Sequence, residues 1–184
     1  MKRMILAGVV LCLPLGCSSP CTSSGLPATG QATCYDDKGN VIDRASQEYP
    51  GQDGFYRKGF PMAGRFTDNR DGTVTDGGTG LVWQKETAPG TYTWPQALRY
   101  SEGLELAGHD DWRLPNVREL QSIVDYGRFD PSIDPVFGAE SGWYWSSSTN
   151  VGLPGYAWFV DFYVGSVGGL GGKGARSFVR AVRG

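Results

Sequence analysis

Among the residues that could do acid–base chemistry near neutral pH, histidine is the scarcest in this sequence. His109 is the only histidine, and Asp110 and Asp111 follow it. A serine hydrolase would expose its nucleophile in a Gly-x-Ser-x-Gly elbow, which the sequence lacks, and a zinc site needs clustered His, Cys or carboxylate ligands. We therefore expect no catalytic residues, no metal and no cofactor, and we interpret His109 as a structural or surface residue.

Oxygen ligands also crowd into one short stretch. Asp68, Asn69, Asp71 and Asp76 are hard ligands of the kind that calcium prefers, but the twelfth position of such a loop holds Thr79 instead of a bidentate Glu. An Asp-Gly pair begins at position 71, and such a pair favours a tight hairpin. A hairpin turn is the preferred interpretation, with a calcium loop as the alternative.

Composition limits the class of protein. The chain has 184 residues, 40% of them hydrophobic, and a net charge of -2. This length and apolar content predict one globular domain with extensions. A slightly acidic chain lacks the electropositive face that nucleic acid requires, so we expect no nucleic-acid partner.

The first residues resemble an export signal. A cationic start is followed by a short apolar run, and Leu15-Gly16-Cys17 is similar to a bacterial lipobox, in which the cysteine becomes lipidated. Residues 1–17 are thus predicted to be a lipoprotein signal peptide with Cys17 as the lipidation site, and an ordinary signal peptide is the alternative. Ser18 is compatible with sorting to the outer membrane, where the protein would be lipid-anchored and surface-exposed.

A flexible tether is predicted to follow over residues 18–31, because this stretch is small, polar and broken by proline. Residues 32–184 would then form the folded domain. Cys12 would be removed with the signal peptide, and Cys17 would carry the lipid. Cys21 and Cys34 then remain, either as a disulfide or as two free thiols.

The rest of the chain predicts an α+β fold. Residues 65–67 and 73–75 should form a hairpin, and residues 81–84 a further strand. Thr93 and Asn116 can each cap a helix. Strands are expected at residues 143–147, 157–162 and 178–183.

The segment 163–174 separates the last two of these strands. Six of its twelve residues are glycine, so we expect an exposed loop. The aromatic-rich strands before it should alternate between core and surface, with Trp143 or Trp145, Trp158 and Val160 in the core.

Several ordered motifs resemble a known family. They are Gly30-Gln-Ala-Thr-Cys-Tyr-Asp, Arg65-Phe-Thr-Asp-Asn-Arg-Asp-Gly-Thr-Val-Thr-Asp, Thr79-Gly-Leu-Val-Trp-Gln-Lys, Asp111-Trp-Arg-Leu-Pro-Asn-Val-Arg-Glu-Leu, Asp134-Pro-Val-Phe, Tyr144-Trp-Ser-Ser-Ser and Phe178-Val-Arg-Ala-Val-Arg-Gly. Together they are similar to the Lcl C-terminal-domain-like family, over roughly residues 30–184.

This resemblance implies a C-type-lectin-like fold, with two helices packed on short antiparallel β-sheets, in an exported protein that binds a ligand and is not an enzyme. Many relatives carry a second cysteine where this chain has Arg44, which favours pairing of Cys34 with Cys21. The alternatives are a structural envelope lipoprotein without a specific ligand and a relative of formylglycine-generating oxidases, which need reactive cysteines.

Proteins with a C-type lectin fold include the variable proteins of diversity-generating retroelements, in which randomised Asn codons diversify a binding loop. If the first two bases of an Asn codon vary while its third base stays a pyrimidine, the codon cannot encode Glu, Gln or Met. Residues 148–177 contain none of these three residue types. A retroelement-diversified loop and an ordinary glycine-rich loop both remain open.

We expect the ligand, an extracellular protein or glycan, to contact residues 150–156 and 163–177, with the oligomeric state left open. The candidate contact residues are Asn150, Val151, Leu153, Tyr156, Tyr163, Val164, Ser166, Leu170, Arg176 and Ser177.

Overall fold

A computed structural model describes residues 25–184, in which short strands alternate with three short helices. In chain order the elements are β1 (Cys34–Tyr35), β2 (Val41–Ile42), α1 (Asp53–Tyr56), β3 (Phe66–Asp68), β4 (Thr73–Asp76), β5 (Val82–Gln84), α2 (Trp94–Glu102), α3 (Val117–Ser122), β6 (Trp143–Thr149), β7 (Tyr156–Asp161), β8 (Ser166–Gly172) and β9 (Val182–Arg183). The predicted α+β class is confirmed. Among these described residues, no helix is long and apolar enough to cross a membrane.

The strands form three antiparallel sheets. β1 pairs with β2, a four-stranded sheet has the order β3-β4-β5-β9, and a three-stranded sheet has the order β6-β7-β8. The last strand, β9, pairs with β5. It is therefore an edge strand of the four-stranded sheet, beside a strand about 100 residues earlier in the chain. The predicted hairpin at residues 65–75 is confirmed by the β3–β4 pair.

Both predicted helices begin at the predicted caps. Asn116 accepts hydrogen bonds from two backbone N–H groups of α3, and Glu119 accepts one from the Asn116 backbone, which makes a reciprocal capping box. Thr93 and Gln96 form the corresponding box of α2. Because a cap satisfies N–H groups that a helix leaves without partners, these polar residues fix where each helix starts.

The three-stranded sheet has buried side chains on both faces. Neighbouring residues of β6 belong to two different clusters, since Tyr144 packs with Val160 and Phe162, whereas Trp145 packs with Ala157 and Val179. The helix α3 covers the first of these faces. Close packing on two sides restricts the movement of this sheet, on which the surface segments described below are held.

One core prediction was wrong. Trp145 and Val160 are buried as expected, but Trp158 is 36% exposed. By strand alternation Trp158 lies on the same face of β7 as Val160, two residues nearer the β6–β7 loop. Burial of that face ends before Trp158, since Tyr156, the next residue of the same face, is exposed as well.

Two buried arginines hold the sheets together. Arg65 makes a two-pronged ion pair with Asp76, with distances of 2.7 Å from Nε to Oδ1 and 2.5 Å from Nη2 to Oδ2, and both side chains are inaccessible to solvent. Arg65 Nη1 also donates to the carbonyl of Ser122 at the end of α3. The pair therefore links the β3–β4 hairpin to α3, the helix that covers the three-stranded sheet.

The other arginine, Arg180, is fully buried, and no carboxylate among residues 25–184 bonds to it. Its guanidinium donates to the backbone carbonyls of Gln84, Lys85 and Gly138 and lies 5.0 Å from the ring centre of Phe137. Burial lowers the pKa of Arg180. Carbonyl dipoles and an aromatic face thus take the place of a counter-ion.

Candidate functional site

Exposed apolar side chains gather at one end of the three-stranded sheet. We name as the loop surface the set formed by the β6–β7 loop, the start of β7 and the middle of β8: Val151, Leu153, Tyr156, Trp158 and Leu170. Val151 is 90% exposed and Leu170 is 66% exposed. No charged residue occurs at positions 141–160 or 162–172, so this surface is apolar and free of fixed charge.

The side chain of Asn150 fixes the loop against the sheet. Its Nδ2 donates to the carbonyl of Gly169 on β8 at 2.8 Å, and its Oδ1 accepts from the N–H of Gly152 at 3.0 Å. Two further backbone bonds, one from Leu153 to Asn150 and one from Tyr156 to Leu153, close the turn. Both ends of the Asn150 amide are thus used within the protein, and its role is to position the loop.

The glycine-rich segment is a strand, β8, and the predicted loop was wrong over residues 166–172. Its glycines leave room for aromatic rings of the neighbouring strands. A methyl group on Gly171 would lie 2.5 Å from the ring of Trp145, one on Gly169 would lie 3.1 Å from that of Trp158, and one on Gly168 would overlap Phe159. The glycines therefore permit close packing here, where the sequence suggested that they prevent regular structure.

A lysine borders the loop surface at the end of β8. The ammonium of Lys173 lies 3.9 Å from the ring centre of Trp94 and 2.9 Å from Thr149 Oγ1, to which it donates. The backbone carbonyl of the same residue accepts from Trp94 N–H. These contacts hold the C-terminal end of β8 against the start of α2, so the border of the surface is fixed.

The ten predicted contact residues do not lie in one place. Tyr156 pairs with Gly172, whereas Asp161 pairs with Ser166 at the opposite end of the β7–β8 hairpin. The first group is Val151, Leu153, Tyr156 and Leu170 of the loop surface, together with Asn150, which positions the loop. The second group, at the other end of the sheet, is Tyr163, Val164 and Ser166.

The remaining two candidates lie beside the Thr91–Tyr92 segment. Arg176 is exposed, and its Nη2 donates to the carbonyl of Thr91 at 2.7 Å. Ser177 is only 5% exposed and exchanges two backbone hydrogen bonds with Tyr92. Trp158 belongs to the loop surface although the sequence predicted it in the core, and nothing in the alternation of β7 distinguishes it from the buried Val160.

Acidic residues of the suspected calcium loop are all occupied by the protein itself. Asp68 accepts from Lys85 Nζ, Asp71 accepts from both the backbone and the hydroxyl of Thr73, and Asp76 is paired with Arg65. Within residues 25–184, no group of three His, Cys, Asp or Glu side chains could hold a metal ion. The cluster is a hydrogen-bonded hairpin turn.

The N-terminal predictions fall largely outside the described residues. The signal peptide, the lipidation of Cys17 and the partner cysteine Cys21 lie before residue 25, while Cys34 is buried in β1. Residues 26–29 of the predicted tether bond to the domain: Ala28 N–H donates to the carbonyl of Phe60, Phe60 N–H donates to that of Leu26, and the carbonyl of Thr29 accepts from Tyr126 N–H.

The frame that carries the loop surface coincides with a family of known domains. The model of the Lcl C-terminal domain matches residues 72–183, which is well over half of the chain and includes β4 to β9. This chain belongs to the Lcl C-terminal domain family. Lcl C-terminal domains are found in bacterial surface and adhesin-type proteins. Among curated proteins, none matches the chain closely enough to be counted as a relative.

The match locates the loop surface within the Lcl C-terminal domain, since all five of its residues fall inside the matched range. Residues 30–71, to which the motif resemblance also extended, precede the matched range. They contribute β1, β2, α1 and β3.

Proposed function

We propose that this protein is an exported, lipid-anchored ligand-binding protein, of adhesin or receptor type, whose Lcl C-terminal domain has a C-type-lectin-like fold. It acts by binding and not by catalysis. The ligand is an extracellular protein or glycan that docks on the loop surface.

The observation that carries this proposal is the exposure of five apolar side chains at one end of a sheet whose two faces are packed. A monomeric protein rarely leaves a contiguous apolar patch in water unless the patch contacts a partner. The loop that bears Val151 and Leu153 is held by Asn150, and Trp158 rests against Gly169. Such a surface loses little conformational entropy when a ligand binds, which favours affinity.

The loop surface itself carries no charge, and the ammonium of Lys173 at its border is held by Trp94 and Thr149, which indicates the chemistry of the ligand. Positions 141–172 contain one charged residue, Asp161, which lies at the opposite end of β7. The aromatic faces of Tyr156 and Trp158 offer rigid apolar contact area. We therefore expect an uncharged or apolar epitope, and affinity that changes little with ionic strength, because screening acts only on charges.

Attachment to the outer membrane rests on the sequence of the N-terminus. Lipidation of Cys17 would hold the domain at the surface, and pairing of Cys34 with Cys21 would be permitted outside the cytoplasm. Mass spectrometry of the mature protein tests both modifications. A bacterium that displays the protein should also lose the domain to added protease.

The proposal includes diversification of the loop surface by a retroelement, but packing limits which positions can vary. Gly168 and Gly171 cannot accept a side chain without displacing Phe159 and Trp145. Variation could therefore change exposed positions such as Val151 and Leu170, but not those glycines. A nearby reverse-transcriptase gene with a mismatched template repeat would support diversification, and its absence would oppose it.

Leu170→Ala should weaken binding to the ligand by about tenfold, since an apolar anchor at an interface contributes on the order of 1–2 kcal/mol. Tyr163→Ala, at the other end of the sheet, should leave the affinity unchanged. The ligand would first be found by screening the protein against arrays of surface proteins and glycans, and affinities would then be measured by calorimetry.

Val41→Ala is the matched control, because Val41 is 70% exposed on β2 and lies outside the loop surface. Equal affinity of the Leu170→Ala variant and the wild type would contradict the assignment of the ligand site. A protein that binds nothing on either array would favour a structural envelope lipoprotein.

A further inference from the structure

A second set of exposed apolar residues lies at the opposite end of the three-stranded sheet. We name as the turn surface the four residues Tyr126, Phe129, Tyr163 and Val164. Phe129 is 63% exposed, and its ring centre lies 4.8 Å from that of Tyr163. Gly165, the next residue after Val164, packs against the ring of Tyr126, so the four residues are contiguous.

The chain enters the domain beside the turn surface. Tyr126 N–H donates to the carbonyl of Thr29 at 2.7 Å, and residues 26–29 line a groove together with Tyr126. Leu26, near the start of this groove, is 85% exposed. The N-terminal segment therefore reaches the domain at this end of the sheet, whereas the loop surface lies beyond the other end of β7, about 17 Å away for a six-residue strand.

The length of the intervening chain limits the distance to the membrane. Seven residues, 18–24, separate Cys17 from Gly25. Even fully extended, this stretch spans roughly 28 Å. If Cys17 carries the lipid, the end of the domain at which the chain enters must stay within that distance of the bilayer.

We propose that the turn surface rests on the lipid bilayer, with Phe129 and Val164 in the interface and the loop surface directed away from it. This inference rests on the proposed lipid anchor. Tyr126 and Tyr163 suit the interface because their rings can enter the acyl region while their hydroxyls stay among the headgroups, and Phe129 and Val164 add purely apolar area. The arrangement explains in one geometry why both ends of the sheet are apolar: one faces lipid and the other faces the ligand.

The test measures the depth of single spin labels in the full-length, lipidated protein reconstituted in phosphatidylcholine vesicles. Cysteine is introduced by Phe129→Cys, Val164→Cys, Val151→Cys or Leu170→Cys, each in a Cys21→Ser background. Cys34 is 2% exposed, so the background protein should take up no label. Accessibility to oxygen, which partitions into lipid, is compared with accessibility to a water-soluble nickel complex.

The proposal predicts that labels at positions 129 and 164 collide more with oxygen, and labels at positions 151 and 170 more with the nickel complex. Labels at 129 and 164 that are as accessible to nickel as those at 151 and 170 would overturn it. Mass spectrometry of the same samples separates the two failures. A lipidated Cys17 with a water-exposed label at 129 refutes only the docking, whereas an unmodified Cys17 refutes the anchor and the docking with it.

Discussion

Asp76→Asn is expected to lower the free energy of unfolding by about 3–5 kcal/mol, because it removes the negative partner of a buried guanidinium. Arg65 would remain inaccessible to solvent, with an amide in place of the carboxylate. The same carboxylate also accepts from Gly78 N–H and Thr79 Oγ1. Urea unfolding followed by tryptophan fluorescence measures the loss.

The pH dependence of the two proteins gives a second check. Burial by itself raises the pKa of Asp76, but the hydrogen bond from Arg65 and those from Thr79 and Gly78 outweigh it, so the pKa is net lowered from 3.8. A carboxyl with a lowered pKa stabilises the fold above its unfolded pKa and stops doing so as the pH falls through its folded pKa. The difference between wild type and variant should therefore shrink below pH 3.8.

A matched control comes from an ion pair at the surface. Asp111 accepts two hydrogen bonds from Arg183, but its side chain is 55% exposed. Solvent screens this pair, so Asp111→Asn should leave the urea midpoint almost unchanged. Equal urea midpoints for the Asp76→Asn and Asp111→Asn variants would show that the Arg65–Asp76 pair does not stabilise the fold more than a surface ion pair does.

Gly171→Ala should destabilise the protein by about 1–3 kcal/mol, the usual cost of overpacking a core. The added methyl would lie 2.5 Å from the ring of Trp145, and that ring cannot easily move, because its Nε1 donates to the carbonyl of Tyr92 and the side chain is buried. Thermal unfolding by circular dichroism is a sufficient measurement.

The neighbouring glycine provides the control for strand propensity. At Gly172 a methyl would meet only Tyr156, at an ordinary contact distance of 3.9 Å. Gly172→Ala should therefore be neutral or slightly stabilising, because alanine restricts the unfolded chain more than glycine does. If both variants unfold at the wild-type temperature, the glycines of β8 are not needed for aromatic packing.

Structural features that depend only on residues close together in the sequence could be predicted. The caps at Thr93 and Asn116 and the hairpin around residues 68–72 each depend on side chains that bond to their own neighbouring backbone. The α+β class followed from these elements. A resemblance carried by several ordered motifs also gave the family, which the match over residues 72–183 confirms.

Features that depend on distant partners were not predictable in this way. Six glycines in twelve residues indicate flexibility until Trp145, Trp158 and Phe159 are placed against them. Trp158 and Val160 share one face of β7, and which of them is buried depends on where the packing against that face ends, which the strand's own sequence does not show. The burial of Arg180 likewise depends on carbonyls 42 to 96 residues earlier in the chain.

The same limit explains the division of the predicted contact residues. Tyr163 and Leu170 are seven positions apart and would be neighbours in a flexible loop. In a hairpin, Tyr163 lies at the turn and Leu170 near the open end. When a strand is predicted to be a flexible loop, the predicted positions of its end residues are therefore wrong by about the length of the strand.

Hydrogen exchange of the protein with and without its ligand tests the central claim most directly. We expect the ligand to slow amide exchange at residues 150–156 and 168–172, where the loop surface lies, and to leave residues 162–165 and the β1–β2 hairpin unchanged. Protection confined to residues 162–165, or spread over the β3-β4-β5-β9 sheet, would show that the ligand binds elsewhere and would contradict the account.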